Sequence, residues 1–205
     1  MDSGAALLLT RELARKAEDH LRSRDEVMER LVTRHGPCDI PDRKFRPFQT
    51  LAKSVISQQL SVKAAATIEG RVRQAIGGAM GPKRFLAVDL EILRSAGLSR
   101  AKARCLIELS RRVSSGQLDF VSLQHLAEDE AISALTELPG IGPWTAEMFL
   151  IFGLKRPNVL SLADAGLQRA VRMLYGTSDI ESVGDRWQPY RSVASWFLWR
   201  HLDGG

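Results

Sequence analysis

Apolar positions along this chain of 205 residues repeat mainly at the spacing of an α-helix. Within residues 10 to about 34, for example, Leu13, Ala17, Leu21 and Leu31 fall near one face of an amphipathic helix or of two consecutive helices. Alternating β-branched runs bounded by turn residues, which would indicate strands, do not occur in the sequence. The pattern therefore predicts an all-α protein.

Capping residues, prolines and glycines indicate where the helices begin and end. Ser61 and Ser99 are predicted N-caps, and Gly77 and Gly116 are predicted helix ends. After the first segment, longer helices are predicted over residues 48–59, 62–77, 100–116, 128–138, 144–154, 165–175 and 189–201. Between the second and third of these, short helices are predicted that end at residue 97. Residues 35–47, which follow the first helical segment, are predicted to form a loop because they contain three prolines.

Composition adds little to this prediction. The formal charge is +5, which suits a polyanionic partner without establishing one. Cys38 and Cys105 lie far apart and lack metal-ligand spacing, so we expect reduced thiols and no iron–sulfur cluster. Residues 4–10 are too short an apolar run for a signal peptide or a membrane span. We therefore expect a cytoplasmic protein, or a nuclear one in a eukaryote, with no targeting signal and no membrane partner.

A glycine-rich turn separates the helices predicted over 128–138 and 144–154. Pro139, Gly140, Ile141 and Gly142 form this turn, and Pro143 suits the first position of the outgoing helix. Gly140 and Gly142 can adopt positive φ at little steric cost, and we expect the amides of Ile141 and Gly142 to point outward with those of the helix start. Because residues 113–154 contain no lysine or arginine, backbone amides would have to hold a phosphate here. The alternative is a tight interhelical turn that binds nothing.

Four segments together resemble a known family. The segment LPGIGPWTAEMFLIFGLKRPNVLSLADAGLQRAV, residues 138–171, is similar to the signature block of the helix-hairpin-helix (HhH-GPD) DNA glycosylases. Residues 48–72, 96–110 and 187–200 further resemble the 3-methyladenine DNA glycosylases of alkylation repair. The resemblance covers roughly residues 31–201.

The resemblance implies a fold, a domain organisation and an activity. We expect one glycosylase domain over 1–205, with two helical lobes around a DNA-binding cleft and the hairpin at about 128–154. The chain would be a compact form without the N-terminal β-rich domain of longer bacterial members. Its implied activity is cleavage of the N-glycosidic bond of an alkylated purine such as 3-methyladenine or 7-methylguanine, flipped out of double-stranded DNA.

The resemblance also implies a catalytic residue, Asp164, which lies a short extended segment after the hairpin helix. As an anion near C1′, its carboxylate would stabilise an oxocarbenium-like transition state and could orient the attacking water. The alternative is that Asp164 only caps the helix beginning at Ala165, and the two roles are compatible. No second acid that could protonate a leaving base is apparent nearby, which suits a cationic alkylpurine.

Aromatic residues are implied for the base pocket. Trp144 occupies the position where lyase-competent relatives carry a lysine nucleophile, so we expect base excision without strand cleavage. An indole face would also attract a cationic base by ~0.5–2 kcal/mol. Trp199 matches a second pocket aromatic, whereas Trp196 belongs to the core. Met148 stands where some relatives place an aromatic.

The remaining implied contacts are with the DNA strand. Gln59 and Leu60 occupy the wedge that fills the gap left by the flipped nucleotide, although Leu60 could instead be buried at a helix end. Ser61, Lys63 and Arg191 are candidate phosphate contacts. We expect no metal bound by side chains and no cofactor, apart from a Na⁺ or K⁺ ion at the hairpin carbonyls, and a monomeric protein.

Two other functions fit parts of the sequence. A non-catalytic helix-hairpin-helix DNA-binding module would explain the hairpin, but it would need neither Asp164 nor the two tryptophans. A glycosylase for other damaged bases is the second alternative, and its glycosylase–lyase form for oxidised bases is disfavoured by Trp144 and by the missing cysteine cluster.

Overall fold

The structure is a computed structural model that describes residues 8–204. These residues contain helices and no strands, which confirms the all-α prediction. Most of the apolar segment at residues 4–10 lies outside the described residues. Within 8–204, no helix is both long and apolar enough to cross a bilayer. The chain divides into two compact units, and the prediction of one domain over 1–205 stays a prediction.

The first unit comprises residues 46–149. Its helices are α3 (Pro47–Ser57), α4 (Val62–Ala75), α5 (Pro82–Leu86), α6 (Leu90–Ser95), α7 (Arg100–Ser114), α8 (Phe120–Leu123), α9 (Glu128–Thr136) and the first part of α10 (Pro143–Phe152). Helix α7 is central to this unit, because α3, α5 and α6 all pack against it. Leu51, Val55, Phe85, Leu106 and Phe149 are among its fully buried side chains.

The second unit comprises residues 8–45 and 150–204. Its helices are α1 (Arg11–Arg24), α2 (Glu26–His35), the rest of α10, α11 (Ala165–Tyr175), α12 (Ile180–Asp185) and α13 (Arg191–Leu202), with a 3₁₀ turn at Ile40–Asp42. Helix α13 packs against α1, α2 and α11. This packing explains why α13 carries apolar residues on nearly all faces: Trp196 is buried as predicted, and Phe197 is buried as well.

A buried carboxylate organises the second unit. Asp25 divides the predicted first segment into α1 and α2, and its Oδ1 accepts hydrogen bonds from the amides of Val27 (2.9 Å) and Met28 (3.0 Å). The hydroxyl of Tyr175 (2.9 Å) and Nε1 of Trp187 (3.3 Å) donate to its Oδ2. Because all these donors satisfy the charge, Asp25 has a structural role in connecting α2 with the segment around α11 and α12.

Several sequence-based boundaries need correction. Ser61 and Ser99 are N-caps as predicted, accepting bonds from the amides of Ala64 and Lys102. Helix α3 ends at Ser57, because Gln59 adopts a positive φ of 56° that no α-helix accommodates. Helix α13 begins at residue 191 instead of 189, and the short helices α8 and α12 were not predicted.

Candidate active site and DNA-contacting elements

Asp164 is held at the start of α11 by its own side chain. Its Oδ1 accepts a hydrogen bond from the amide of Leu167 at 2.7 Å, so it is the N-cap of this helix. Its own amide donates to the carbonyl of Ser161 at 3.2 Å, which closes the preceding turn. The side chain of Gln168 reaches back to the carbonyl of Leu162 at 2.8 Å. These hydrogen bonds hold the Asp164 carboxylate in place, one set from the start of α11 and the other from the turn that precedes it.

A second donor to the carboxylate comes from α13. Nε1 of Trp199 donates to Oδ1 of Asp164 at 2.9 Å, and the indole ring packs on Phe152 with ring centroids 5.6 Å apart. The sequence indicated Trp199 only as a pocket aromatic, and this hydrogen bond was not predicted. A bond to a charged acceptor is typically stronger than one between neutral groups. Trp199 therefore fixes the position of the carboxylate in addition to any contact with a base.

Gly166 provides the space that this arrangement needs. A Cβ atom added to Gly166 would lie 3.0 Å from Oδ1 of Asp164, 3.3 Å from Cδ1 of Trp199 and 3.4 Å from its Nε1. This glycine was not among the predicted site residues, although a glycine in the first turn of a helix is a recognisable signal because it has low helix propensity. Any larger residue here would press on both partners of the carboxylate–indole pair.

The hairpin turn lies between α9 and α10, as predicted. The amide of Ile141 donates to the carbonyl of Leu138 at 3.0 Å, and Gly140 has a φ of 92°. With Pro139 in the second position, these features indicate a type II turn. The prediction that the Ile141 amide points outward is therefore wrong, because the turn itself uses that donor. Pro139 and Gly140 are exposed, whereas the side chain of Ile141 is buried.

The two glycines of the hairpin have different roles. A Cβ on Gly140 would lie 3.0 Å from Cβ and 3.2 Å from Sγ of Cys105 on α7, so this position needs glycine for both conformation and contact. Gly142 does not use this conformational freedom, because its φ lies outside the left-handed region, and its added Cβ would meet nothing within 4 Å. Its amide donates no hydrogen bond within the described residues 8–204, and its carbonyl accepts from Ala146 at 3.1 Å. Gly142 is half-buried at the start of α10.

The predicted pocket residues of α10 lie one turn apart. Trp144 is half-buried in the first turn, while Met148 is 6% exposed and belongs to the core. Helix α10 begins at Pro143, as predicted.

The predicted wedge residues are exposed. Gln59 and Leu60 are in the turn between α3 and α4, and Leu60 is 37% exposed, so the alternative of a buried Leu60 is wrong. Val62, at the start of α4, is 76% exposed. Two large apolar side chains therefore face solvent beside Gln59.

The candidate phosphate contacts have different surroundings. Ser61 caps α4 through a bond from the amide of Ala64 at 3.3 Å, and Lys63 is exposed on the first turn of that helix. Arg191 is half-buried, and its Nε donates to the carbonyl (3.0 Å) and to Oδ1 (3.1 Å) of Asn158. The structure thus uses Arg191 to connect the start of α13 with the segment before α11.

Two lysines bind backbone carbonyls that are distant along the chain. Nζ of Lys102 donates to the carbonyls of Ile56 (2.9 Å) and Gln58 (2.7 Å), and Nζ of Lys155 donates to the carbonyl of Pro41 (2.7 Å). Burial lowers the pKa of both ammonium groups. Their interaction with backbone carbonyls could not be read from the sequence because the partners are distant along the chain.

Cys38 and Cys105 are free, buried thiols, and burial raises their pKa to about 12 and about 11. In the part of the chain that is described, no three His, Cys, Asp or Glu side chains are grouped as a metal site. The expected cation at the hairpin carbonyls stays a prediction.

The chain is similar in sequence to repair glycosylases. It is 33% identical over 197 residues to DNA-3-methyladenine glycosylase 1 of Schizosaccharomyces pombe, which covers 90% of this chain and 86% of that protein. A Bacillus subtilis relative is 33% identical over 172 residues, or 78% of this chain, but the chain spans only 60% of that relative's length.

Solved structures agree with these sequence relationships. A DNA-3-methyladenine glycosidase from Bacillus halodurans is 38% identical and superposes with a TM-score of 0.74, covering 90% of this chain and 88% of its own. A 3-methyladenine DNA glycosylase from Schizosaccharomyces pombe, in complex with abasic DNA, is 30% identical with a TM-score of 0.78, covering 92% and 97%. Residues 52–186 match the sequence profile of the HhH-GPD superfamily base excision DNA repair proteins. This chain therefore belongs to the HhH-GPD superfamily of base excision DNA repair proteins.

Proposed function

We propose that this protein is a monofunctional DNA glycosylase, which hydrolyses the N-glycosidic bond of alkylated purines in double-stranded DNA and leaves the strand intact. The observation that carries the proposal is the fixed Asp164 carboxylate, held by the Leu167 amide and by Nε1 of Trp199. A helix cap alone would need only the first of these bonds. Relatives described as 3-methyladenine glycosylases provide independent support.

The chemistry requires charge stabilisation more than acid catalysis. In the reaction, the bond between C1′ and the base nitrogen breaks, the base leaves with the electron pair, and the sugar acquires positive charge. The carboxylate of Asp164 would stabilise that charge at close range. A water oxygen then bonds to C1′ and releases a proton, for which Asp164 is the candidate acceptor. A cationic alkylpurine becomes neutral as it leaves, so it needs no second acid.

Trp144 is the reason for proposing hydrolysis without lyase activity. An indole has no amine that could form a Schiff base with the sugar, so β-elimination would lack its covalent intermediate. The half-buried indole of Trp144 can instead contact a cationic base through its face. Trp199 would be a second aromatic contact, and Met148 would support Trp144 from the core.

DNA would be held by backbone amides and a few side chains. The proposed phosphate site consists of the Gly142 amide and the first amides of α10, where the helix dipole favours an anion. Because such contacts do not read bases, they suit a repair enzyme that must scan many sequences. A Na⁺ or K⁺ ion at the hairpin carbonyls would strengthen phosphate binding.

Residues of the turn before α4, of α4 and of α13 would make further contacts with DNA. Gln59 and Leu60 would fill the gap left by the flipped nucleotide, since both are exposed on a short turn. Ser61 and Lys63 would contact phosphates from α4, and Arg191 from α13. We propose a monomer acting on double-stranded DNA.

Base release from methylated DNA tests the proposal. Duplex DNA treated with a methylating agent is incubated with the protein, and free bases are separated by chromatography. The proposal predicts free 3-methyladenine or 7-methylguanine, strands that break only after alkali, and no adduct trapped by borohydride. A complete lack of released methylated base would refute the glycosylase proposal, and a trapped adduct would refute its monofunctional part.

A further inference from the structure

The turn between α3 and α4 has a strained backbone. The amide of Leu60 donates to the carbonyl of Ser57 at 3.1 Å, Gln58 has φ −46° and ψ 127°, and Gln59 has φ 56°. These values indicate a type II turn whose third residue is normally glycine. A residue with a side chain is unfavourable in this left-handed conformation, so the surroundings must hold the turn in shape.

Lys102 provides one of the two anchors of this turn. Its Nζ donates to the carbonyl of Ile56, in the last turn of α3, and to the carbonyl of Gln58, within the turn itself. Both bonds are charge-assisted, and the ammonium lies at the negative end of the α3 dipole. Lys102 therefore fixes the peptide that precedes Gln59.

The side chain of Gln58 provides the second anchor, and it reaches the hairpin. Its Nε2 donates to the carbonyl of Gly140 at 2.9 Å and to Oγ1 of Thr145 at 2.8 Å. Because a carbonyl oxygen can only accept, the amide nitrogen must face the hairpin. Thr145 is buried in the first turn of α10. One side chain thus joins the turn carrying Gln59 and Leu60 to the glycine of the hairpin.

Helix α7 supports both ends of this connection. Lys102 and Cys105 are three positions apart, which places them on one face of the helix. Lys102 binds the turn after α3, and Cys105 contacts Gly140 so closely that no Cβ fits there without displacement. Two sets of contacts therefore fix the distance between the turn after α3 and the hairpin. Gln58 joins them directly, and α7 joins them through Lys102 and Cys105.

We propose that Gln58 and Lys102 are positioning residues that fix the Gln59–Leu60 turn relative to the Gly140–Gly142 hairpin, so that holding the phosphate and filling the vacated base position occur in one geometry. This inference rests on the proposed glycosylase function. Under this proposal, neither Gln58 nor Lys102 touches the base or the sugar. Gln58 and Lys102 instead affect the extrusion of the nucleotide from the duplex. If the Gln59–Leu60 turn is displaced, its side chains cannot fill the gap left by the nucleotide while the hairpin holds the DNA phosphate.

The test compares a paired lesion with an unpaired one. Single-turnover excision of 7-methylguanine is measured in a complementary duplex and in the same duplex with the opposite nucleotide removed, where extrusion is easy. For Gln58→Ala and Lys102→Met we expect roughly tenfold slower excision from the paired site and at most about twofold slower excision from the unpaired site. Lys102→Arg, which keeps charged donors, should recover most of the rate. An equal loss on both substrates, or no loss, would overturn the inference.

A matched control and a second measurement separate this inference from general instability. Lys155→Met removes a similarly half-buried lysine bound to a carbonyl and should leave the paired-to-unpaired ratio unchanged. Gln58→Glu keeps the shape but replaces the donor with an acceptor facing the Gly140 carbonyl, so it should behave as Gln58→Ala does even if the alanine variant unfolds. If Gln58→Glu excises paired lesions at the wild-type rate, the inference is wrong.

Fluorescence of 2-aminopurine next to the lesion position detects unstacking without any chemistry. Binding of the wild-type protein should raise the fluorescence, and binding of Gln58→Glu at saturating concentration should raise it by less than about half as much. Equal rises would overturn the inference. If the wild-type protein releases no methylated base, the proposed function fails, whereas normal release with no paired-to-unpaired difference refutes only the role of Gln58 and Lys102.

Discussion

Replacing Gly166 with alanine perturbs the carboxylate–indole pair with a single methyl group. That group would lie 3.0 Å from Oδ1 of Asp164 and 3.3 Å from Cδ1 of Trp199, closer than most real Cβ contacts. One or both partners must therefore move by a few tenths of an ångström. Displacing a catalytic group by about 1 Å can cost about 100-fold in rate, so we expect Gly166→Ala to slow single-turnover excision about tenfold.

Stability should respond differently from activity. Alanine in place of a helical glycine typically stabilises a protein by about 0.5–1 kcal/mol, which offsets part of the new contact. We therefore expect the free energy of unfolding of Gly166→Ala to stay within about 1 kcal/mol of the wild type in urea denaturation. Gly70→Ala is the matched control, because its added Cβ meets nothing within 4 Å on α4. It should stabilise the protein and leave excision unchanged.

Two results would refute this reasoning. Wild-type excision by Gly166→Ala would mean that the position of the carboxylate relative to Trp199 does not limit the reaction. A loss of activity matched by a loss of several kcal/mol in stability would mean that Gly166 serves packing alone.

Three further predictions concern the hairpin, the indole and the thiols. Gly140→Ala should destabilise the protein by about 1–3 kcal/mol in urea denaturation because of its φ of 92° and its contact with Cys105, while Gly142→Ala should keep wild-type stability because its added Cβ meets nothing within 4 Å. Trp199→Phe keeps an aromatic ring but loses the donor to the carboxylate, so single-turnover excision should fall about tenfold while affinity for abasic DNA changes by less than about threefold. Cys38 and Cys105, with pKa values raised by burial to about 12 and about 11, should resist iodoacetamide near pH 8 until the protein unfolds, as followed by mass spectrometry.

Each of these has a contradicting result. Equal stability of the two hairpin variants would show that the Gly140 contact is unimportant. An unchanged rate for Trp199→Phe would remove its hydrogen bond from the mechanism. Rapid native-state labelling of Cys105 would contradict its burial.

Much of the fold was predictable because it depends on local signals. Apolar spacing predicted helices, and the N-caps Ser61 and Ser99 were recognised from residue type. The end of α3 was not predicted correctly, because the residue types of Gln58 and Gln59 are compatible with a helix. The turn there depends on Lys102 and on the Gly140 carbonyl, which are tertiary partners.

The candidate site was predictable only in part, for the same physical reason. Resemblance supplied Asp164, Trp144 and Trp199 as candidates. It did not supply the hydrogen bond between Trp199 and Asp164, which requires α11 and α13 to pack together. The Ile141 amide was wrongly assigned to a ligand because a turn hydrogen bond competes for the same donor.

The charge on Asp164 is tested most directly by Asp164→Asn. Asparagine keeps an oxygen for the Leu167 amide, so the helix cap survives while the negative charge is lost. Asp179→Asn is the matched control, because Asp179 caps α12 through the amide of Ser182 at 3.0 Å. Single-turnover release of 7-methylguanine should fall at least about 100-fold in Asp164→Asn, with binding to abasic DNA retained, and should be unchanged in Asp179→Asn. Release at the wild-type rate by Asp164→Asn would show that this carboxylate is not the catalytic group.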